Sequence, residues 1–323
     1  MKILITGGAG YIGSVLSRQL LAKGHQVRVL DILNFGGESI LSIINHSNFE
    51  FMKGDIRCKS DVLKAIEQMD AVVHLAAIVG DPACAKQPEI AKETNLVASK
   101  MLLDLCNSSR TVKQFIFAST CSNYGKMEGD GYIDETAPLK PVSLYAQLKV
   151  AFEKYLLESK TRAGFIPTAL RFATVYGLSQ RIRFDLTVNE FIRDAALGKE
   201  LVIFGEQFWR PYCHVDDLAR ACALILESDK KAVDHEVFGV GDTRENYQKR
   251  MLAEEIKKVI PSVQIKYVYK DEDPRDYRVK FDKIADRLGF KISKTVPDGI
   301  REINFIIQNG ILSDPENKIY SNT

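Results

Sequence analysis

The chain has 323 residues, more than a single hydrophobic core ordinarily organises, so it forms either one large domain or two closely joined ones. Hydrophobic residues make up 46% and charged residues 27%, the usual balance of a globular protein. A formal net charge of +2 without a basic stripe deprives nucleic-acid binding of its electrostatic driving force and excludes that partner.

From the N-terminus, short β-branched runs alternate with longer segments of helical periodicity, which predicts an α/β, doubly wound parallel sheet with right-handed crossovers. Strands are expected near Lys2–Thr6, Gln26–Leu30, Phe49–Met52, Ala71–Leu75, Gln114–Ser119 and Pro167–Phe172. Helices are expected between them near Tyr11–Lys23, Ser60–Gln68, Glu89–Asn107 and Leu144–Arg162. After Phe172 the rhythm changes. Thr174–Arg210 is rich in Arg, Phe and Gly; beyond it Val215–Glu227 reads as a helix and His235–Val240 as a buried strand. Arg250–Val259 and Pro297–Gln308 then read as helices on either side of a strand-like Gln264–Tyr269. The expected division is a larger sheet-forming domain over 1–172 and 208–240, a smaller discontinuous α/β lobe over 173–207 and 241–312, and a polar, poorly ordered tail over 313–323. No run approaches the roughly 18 apolar residues of a membrane span. The first apolar run breaks at Gly7, too early for a secretory signal, and six scattered cysteines lack any C-x-x-C pair. A cytoplasmic protein with no membrane partner and no metal is expected.

Directly after the first strand comes Gly7-Gly8-Ala9-Gly10-Tyr11-Ile12-Gly13, the setting a dinucleotide fingerprint requires. Gly7 allows the tight turn, Gly10 a close backbone approach to a pyrophosphate, and Gly13 close packing of helix on strand, while N–H groups at the helix start face the phosphates. The larger domain is thereby read as Rossmann-like. Asp31, at the end of the second strand, is placed to accept hydrogen bonds from both hydroxyls of an adenosine ribose and to repel a 2′-phosphate, so the cofactor is expected to be NAD. Asp55 and Ile56, after the third strand, are placed to meet the adenine. Further on, Tyr145 and Lys149 stand one helical turn apart on one face. A neighbouring ammonium and a positively charged nicotinamide both favour phenolate, bringing the tyrosine toward general-base work. His74, at the end of an apolar strand, is assigned to structure.

Taken together, GGAGYIG at Gly7–Gly13, HLAA at His74–Ala77, Asn95, STCSNYG at Ser119–Gly125, YAQLK at Tyr145–Lys149 and RPYCHVDDLA at Arg210–Ala219 resemble the extended short-chain dehydrogenase/reductase superfamily, specifically its nucleotide-sugar epimerases, dehydratases and dehydrogenases. The resemblance implies that Tyr145 is the acid/base, that Lys149 also holds the nicotinamide ribose, and that Thr120 orients the substrate by its hydroxyl. It extends the cofactor site to Tyr11, Ile12, Leu75, Ala76, Ala77 and Asn95, and it implies a homodimer. For a nucleotide-sugar substrate it implies Ser122, Thr174, Arg210 and Arg275, the two arginines gripping the diphosphate, with Arg183 and Arg181 adding to the positive cleft. Thr174 replaces an asparagine common in that family, and Cys121 and Ser122 stand where dehydratases carry carboxylates. Cys121 is read as a packed small residue. The leading expectation is a nucleotide-sugar 4-epimerase; a close second is a 4-dehydrogenase that releases the keto-sugar, and a rival of another class is an NAD-sensing binding protein.

Overall fold

The computed structural model describes residues 1–271 and 275–322, so Glu272, Asp273 and Pro274 of the DEDPRDYR segment and the last tail residue lie outside the described residues. Six strands form in the expected places: β1 Lys2–Thr6, β2 Gln26–Asp31, β3 Phe49–Lys53, β4 Ala71–His74, β5 Gln114–Thr120 and β6 Ile166–Phe172. They pair in parallel in the order β3-β2-β1-β4-β5-β6. The run from β4 to β6 reads as near-continuous apolar sequence because both faces of the sheet are covered. Alternate residues of β1 go to opposite faces, Ile3 and Ile5 to one core and Leu4 to the other. The strand order reverses at β1, whose parallel neighbours are β2 and β4, and a crevice opens there at the carboxyl ends of the strands.

Helices cover the two faces: α1 Tyr11–Ala22, α2 Lys59–Ile66, α3 Ser99–Ser108 and α4 Leu144–Glu158. The continuous helix expected over 89–107 is interrupted. Pro88–Lys92 is α-helical, Glu93–Ala98 is a wider π turn, and α3 follows. Asn95 sits in that turn, its Oδ1 accepting from Ile78 N and its Nδ2 donating to Ile78 O, both at 2.8 Å, so the bulge re-aims a side chain that pins the loop after β4. Likewise, the fourth expected helix stops at Glu158, where Ser159 is extended.

The stretch 174–214 holds more structure than its composition indicated: β7 Thr174–Tyr176, α5 Thr187–Ala196, β8 Leu201–Phe204 and β9 Trp209–His214. Next come α6 Val215–Glu227, β10 Glu236–Val240, β11 Asn246–Gln248, α7 Lys249–Val259, β12 Ile265–Val268 and α8 Val296–Gln308. β10 returns to the large sheet beside β6, and α6 ties to α1 through Gln19 Nε2 donating to Asp216 O at 3.1 Å. β9 instead pairs with β7 and antiparallel β11, so part of the stretch 208–240 lies in a smaller sheet. A separate core built on Tyr176, Ile192, Tyr212, Leu252 and Ile303 supports that side. The tail is not loose: Lys318–Tyr320 makes a 3-10 turn, and Phe184 N donates to Tyr320 O at 2.8 Å. No helix among the described residues is long and apolar enough to cross a membrane.

Candidate active site

The glycine turn leaves β1 at the crevice. Gly7 has φ +75°, and a Cβ there would lie 2.7 Å from Ala76 N, so both conformation and space demand glycine. A Cβ on Gly13 would collide with Gly7 O, which is how α1 packs so closely on the strand; a Cβ on Gly10 would meet Gly7 O at 3.2 Å. No side chain caps the start of α1, leaving its first-turn amides available to an anion. Asp31 accepts from Ala9 N at 3.0 Å and Leu33 N at 2.8 Å, one bond per oxygen, which leaves lone pairs for ribose hydroxyls. These residues fit a dinucleotide. Leu75, Ala76 and Ala77 follow β4, Ala76 against Gly7 and Leu75 held by its N–H on Thr6 O at 3.0 Å.

The other expected cofactor residues have partners within the protein. Tyr11 is buried, its hydroxyl donating to Gly177 O at 2.5 Å, so only its backbone belongs to the turn; Ile12 packs against the core. Asp55 is bound to Arg57 at 2.6 Å, an ion pair that holds its carboxyl below the usual range, and Ile56 is a core residue. Asn95 holds the Ile78 loop. His74 bonds Thr6 Oγ1 at 2.7 Å and Ser99 Oγ at 2.9 Å, and burial lowers its pKa to about 3, so it is a neutral structural imidazole.

Thr120 ends β5, where its Oγ1 accepts from Ser122 N at 3.1 Å. Ser143 caps α4 through Ala146 N and so sets the start of the helix that carries Tyr145 and Lys149. Lys149 Nζ is buried, donates to Ala118 O at 2.8 Å and lies 5.8 Å from the Tyr145 ring centre. Desolvation brings its pKa down to about 8. The Tyr145 phenol is pushed above its ordinary value, chiefly by burial and then by Cys84, with Arg183 opposing. Burial thus outweighs the lowering expected from the neighbouring ammonium.

Around this centre Arg210 is buried, donates to Trp209 O at 2.7 Å and lies over the Tyr277 ring at 5.3 Å; Tyr277 in turn bonds Ser122. Arg275 pairs with Asp81 at 2.9 Å, and Asp81 also acts on Tyr145. Arg183 is clamped by Asp185 at 3.0 and 2.6 Å. Thr174, in β7, pairs with Tyr212 of β9. Cys121 donates weakly to Arg171 O at 3.4 Å, buried and with its thiol pushed up by desolvation, which agrees with a packed small residue. Behind Thr120 lies a network absent from the sequence reading. Glu153, one turn beyond Lys149, accepts from Ser119 Oγ at 2.5 Å, Asn123 Nδ2 at 3.4 Å and Arg171 at 2.7 Å. The i+4 spacing from Lys149 was the available signal for Glu153; Asp81 and Tyr277 carried none.

Known proteins resemble this chain in sequence and in fold. Residues 3–241 match the family model described as NAD dependent epimerase/dehydratase family. The chain is similar to a UDP-glucose 4-epimerase of Lactobacillus helveticus, 31% identical over 80% of this chain and 82% of the relative. It is also similar to a dTDP-glucose 4,6-dehydratase of Streptomyces niveus, 30% identical over 94% and 91%. Among solved structures, a UDP-glucuronic acid 4-epimerase from Bacillus cereus, in complex with UDP-glucuronic acid and NAD, superposes with a TM-score of 0.85 at 27% identity, covering 96% of this chain and 99% of that one.

Proposed function

The chain belongs to the NAD-dependent epimerase/dehydratase family and is an NAD-dependent enzyme, and from that premise we propose that it is a nucleotide-sugar 4-epimerase. The observation that carries this reading is the pairing of a complete proton-transfer set, Thr120, Tyr145 and Lys149, with a turn after Thr120 that supplies no acid. Tyr145 as phenolate takes the proton from the C4 hydroxyl, whose oxygen Thr120 orients. An NAD held by the Gly7–Gly13 turn and Asp31 would supply the hydride acceptor, and later the hydride donor, for C4. Lys149 stabilises the phenolate and holds the cofactor ribose. After the 4-keto sugar has turned over, Tyr145 gives its proton back to the C4 oxygen as hydride reaches the opposite face, so protons and electrons balance over the cycle. Arg210 and Arg275 hold the diphosphate while the sugar moves, Arg275 exchanging Asp81 for phosphate. Ser122 and Thr174 contact the sugar.

Incubation with UDP-, GDP- and dTDP-hexoses, read by NMR and mass spectrometry, tests this. Inversion at C4 with unchanged mass and no accumulation of reduced nicotinamide is expected. Loss of two hydrogens would instead make the enzyme a 4-dehydrogenase, and catalytic loss of water or carbon dioxide would contradict the reading of Cys121 and Ser122.

Two copies are proposed to pair along α3 and α4. Val97 stands 61% exposed at the start of that face, with Lys100 over the Tyr155 ring and the Tyr155 hydroxyl donating to Asp104 at 2.8 Å. Light scattering is expected to give twice the 36.3 kDa of the chain; the mass of one chain would overturn the pairing.

A further inference from the structure

Arg181 is only 7% exposed, yet no carboxylate forms an ion pair with it among the described residues. Asp185, which acts on it electrostatically, has both oxygens engaged by Arg183. One Arg181 nitrogen donates to Ser321 O at 3.2 Å, the guanidinium lies 4.2 Å from the centre of the Phe35 ring, and Nε is buried with no hydrogen-bond partner. A buried cation left in this condition is costly unless an anion completes it.

Its position says which anion. The preceding residues are fastened to the cofactor turn: Tyr11 bonds Gly177 O, Ser179 Oγ donates to Tyr11 O at 2.7 Å, and Ser14 and Ser179 hydroxyls lie 3.1 Å apart. Phe35 is on the loop that follows Asp31. Segment 177–181 therefore spans from the start of α1 to the ribose loop, beside the path of a dinucleotide. We propose that Arg181 is a cofactor-holding residue whose guanidinium meets the pyrophosphate of NAD, and that the C-terminal segment 317–322 is the strap that keeps it there. Tyr320 accepts from Phe184 N and stands edge-on to the Phe184 ring at 5.7 Å. The next two peptide groups match the charges beneath them, Ser321 O on Arg181 and the Asn322 amide on Asp185. Arg181 thus serves the cofactor, not the substrate cleft to which its sequence context pointed. The proposal rests on NAD being the cofactor and is independent of the sugar reaction.

Protein loaded with NADH and chased with excess NAD gives the release rate by loss of NADH fluorescence. Arg181→Gln is expected to release NADH at least tenfold faster and Tyr320→Ala severalfold faster, with affinity for UDP unchanged in both. Arg210→Leu is the reciprocal control, weakening UDP and leaving NADH release alone. Where Arg181→Gln fails to fold, Arg181→Lys, which keeps the charge but loses the planar fork, is expected to release NADH faster than the parent. Parental release from the Arg181 variants would overturn the assignment, as would a loss of UDP affinity in place of NADH retention. Parental release from Tyr320→Ala would overturn the strap. Failure of the epimerase reading shows separately, in the products of the unaltered enzyme.

Discussion

Tyr145→Phe is expected to lose hydride transfer by at least about a hundredfold, the lower end for removal of a general acid–base group, while binding NAD as before. The substitution removes one oxygen and almost no volume, and the ring keeps its place near Lys149. Lys149 cannot take over: its Nζ is directed to Ala118 O, and its charge is set in a buried position. Nor can Cys121, whose sulfur is turned to a backbone carbonyl. The measurement is single-turnover reduction of bound NAD on adding nucleotide-sugar, with cofactor content quantified on the same sample. Turnover near the parental rate with full cofactor content would remove Tyr145 from the chemistry.

Arg171→Met is expected to cost about 3–5 kcal/mol of stability, the range for removing one partner of a buried ion pair. Glu153 would keep its charge in the core with only Ser119 and Asn123 as donors, and Tyr124 and the Glu135 carbonyl would each lose a bond of 3.1 Å. Adding Glu153→Leu removes the stranded charge, so the double variant is expected to be no less stable than Arg171→Met alone, although the Ser119 hydroxyl then loses its acceptor while Asn123 still donates to Ser119 Oγ at 3.0 Å. Urea unfolding of the three proteins decides this. A single variant within about 1 kcal/mol of the parent would show that the core tolerates an unpaired Glu153. Because Ser119 and Asn123 flank Thr120 and Ser122, a loosened network also disturbs the turn that carries the site.

The large sheet was legible because its short β-branched or aromatic runs are separated by helices with clear periodicity, and because Gly7, Gly10 and Gly13 follow β1 directly. Tyr145 and Lys149 were legible because helical spacing alone puts them on one face. β7, β8, β9 and β11 were not: their stability comes from pairing partners far away in sequence, which the local pattern does not report. The break at Asn95 escaped for a similar reason, since the gain from it is made with Ile78 on another element. Arg171 and Glu153 looked like ordinary charges; only the fold shows that they are buried together. Asp55 was legible from its place after β3, and its ion pair with Arg57, two residues on, was not.

The return of β10 to the large sheet sets an order of events during synthesis. β6 is complete at Phe172, but the strand that covers its free edge begins only at Glu236, after β7 to β9 and α6 have been made. At about 5–20 residues per second the ribosome needs several seconds to make that stretch, and for that time β6 presents a bare row of backbone donors and acceptors. Slow codons or a temperature shift within 173–235 would lengthen the exposure, so the chain is most open to mispairing with its neighbours before the seventh strand emerges.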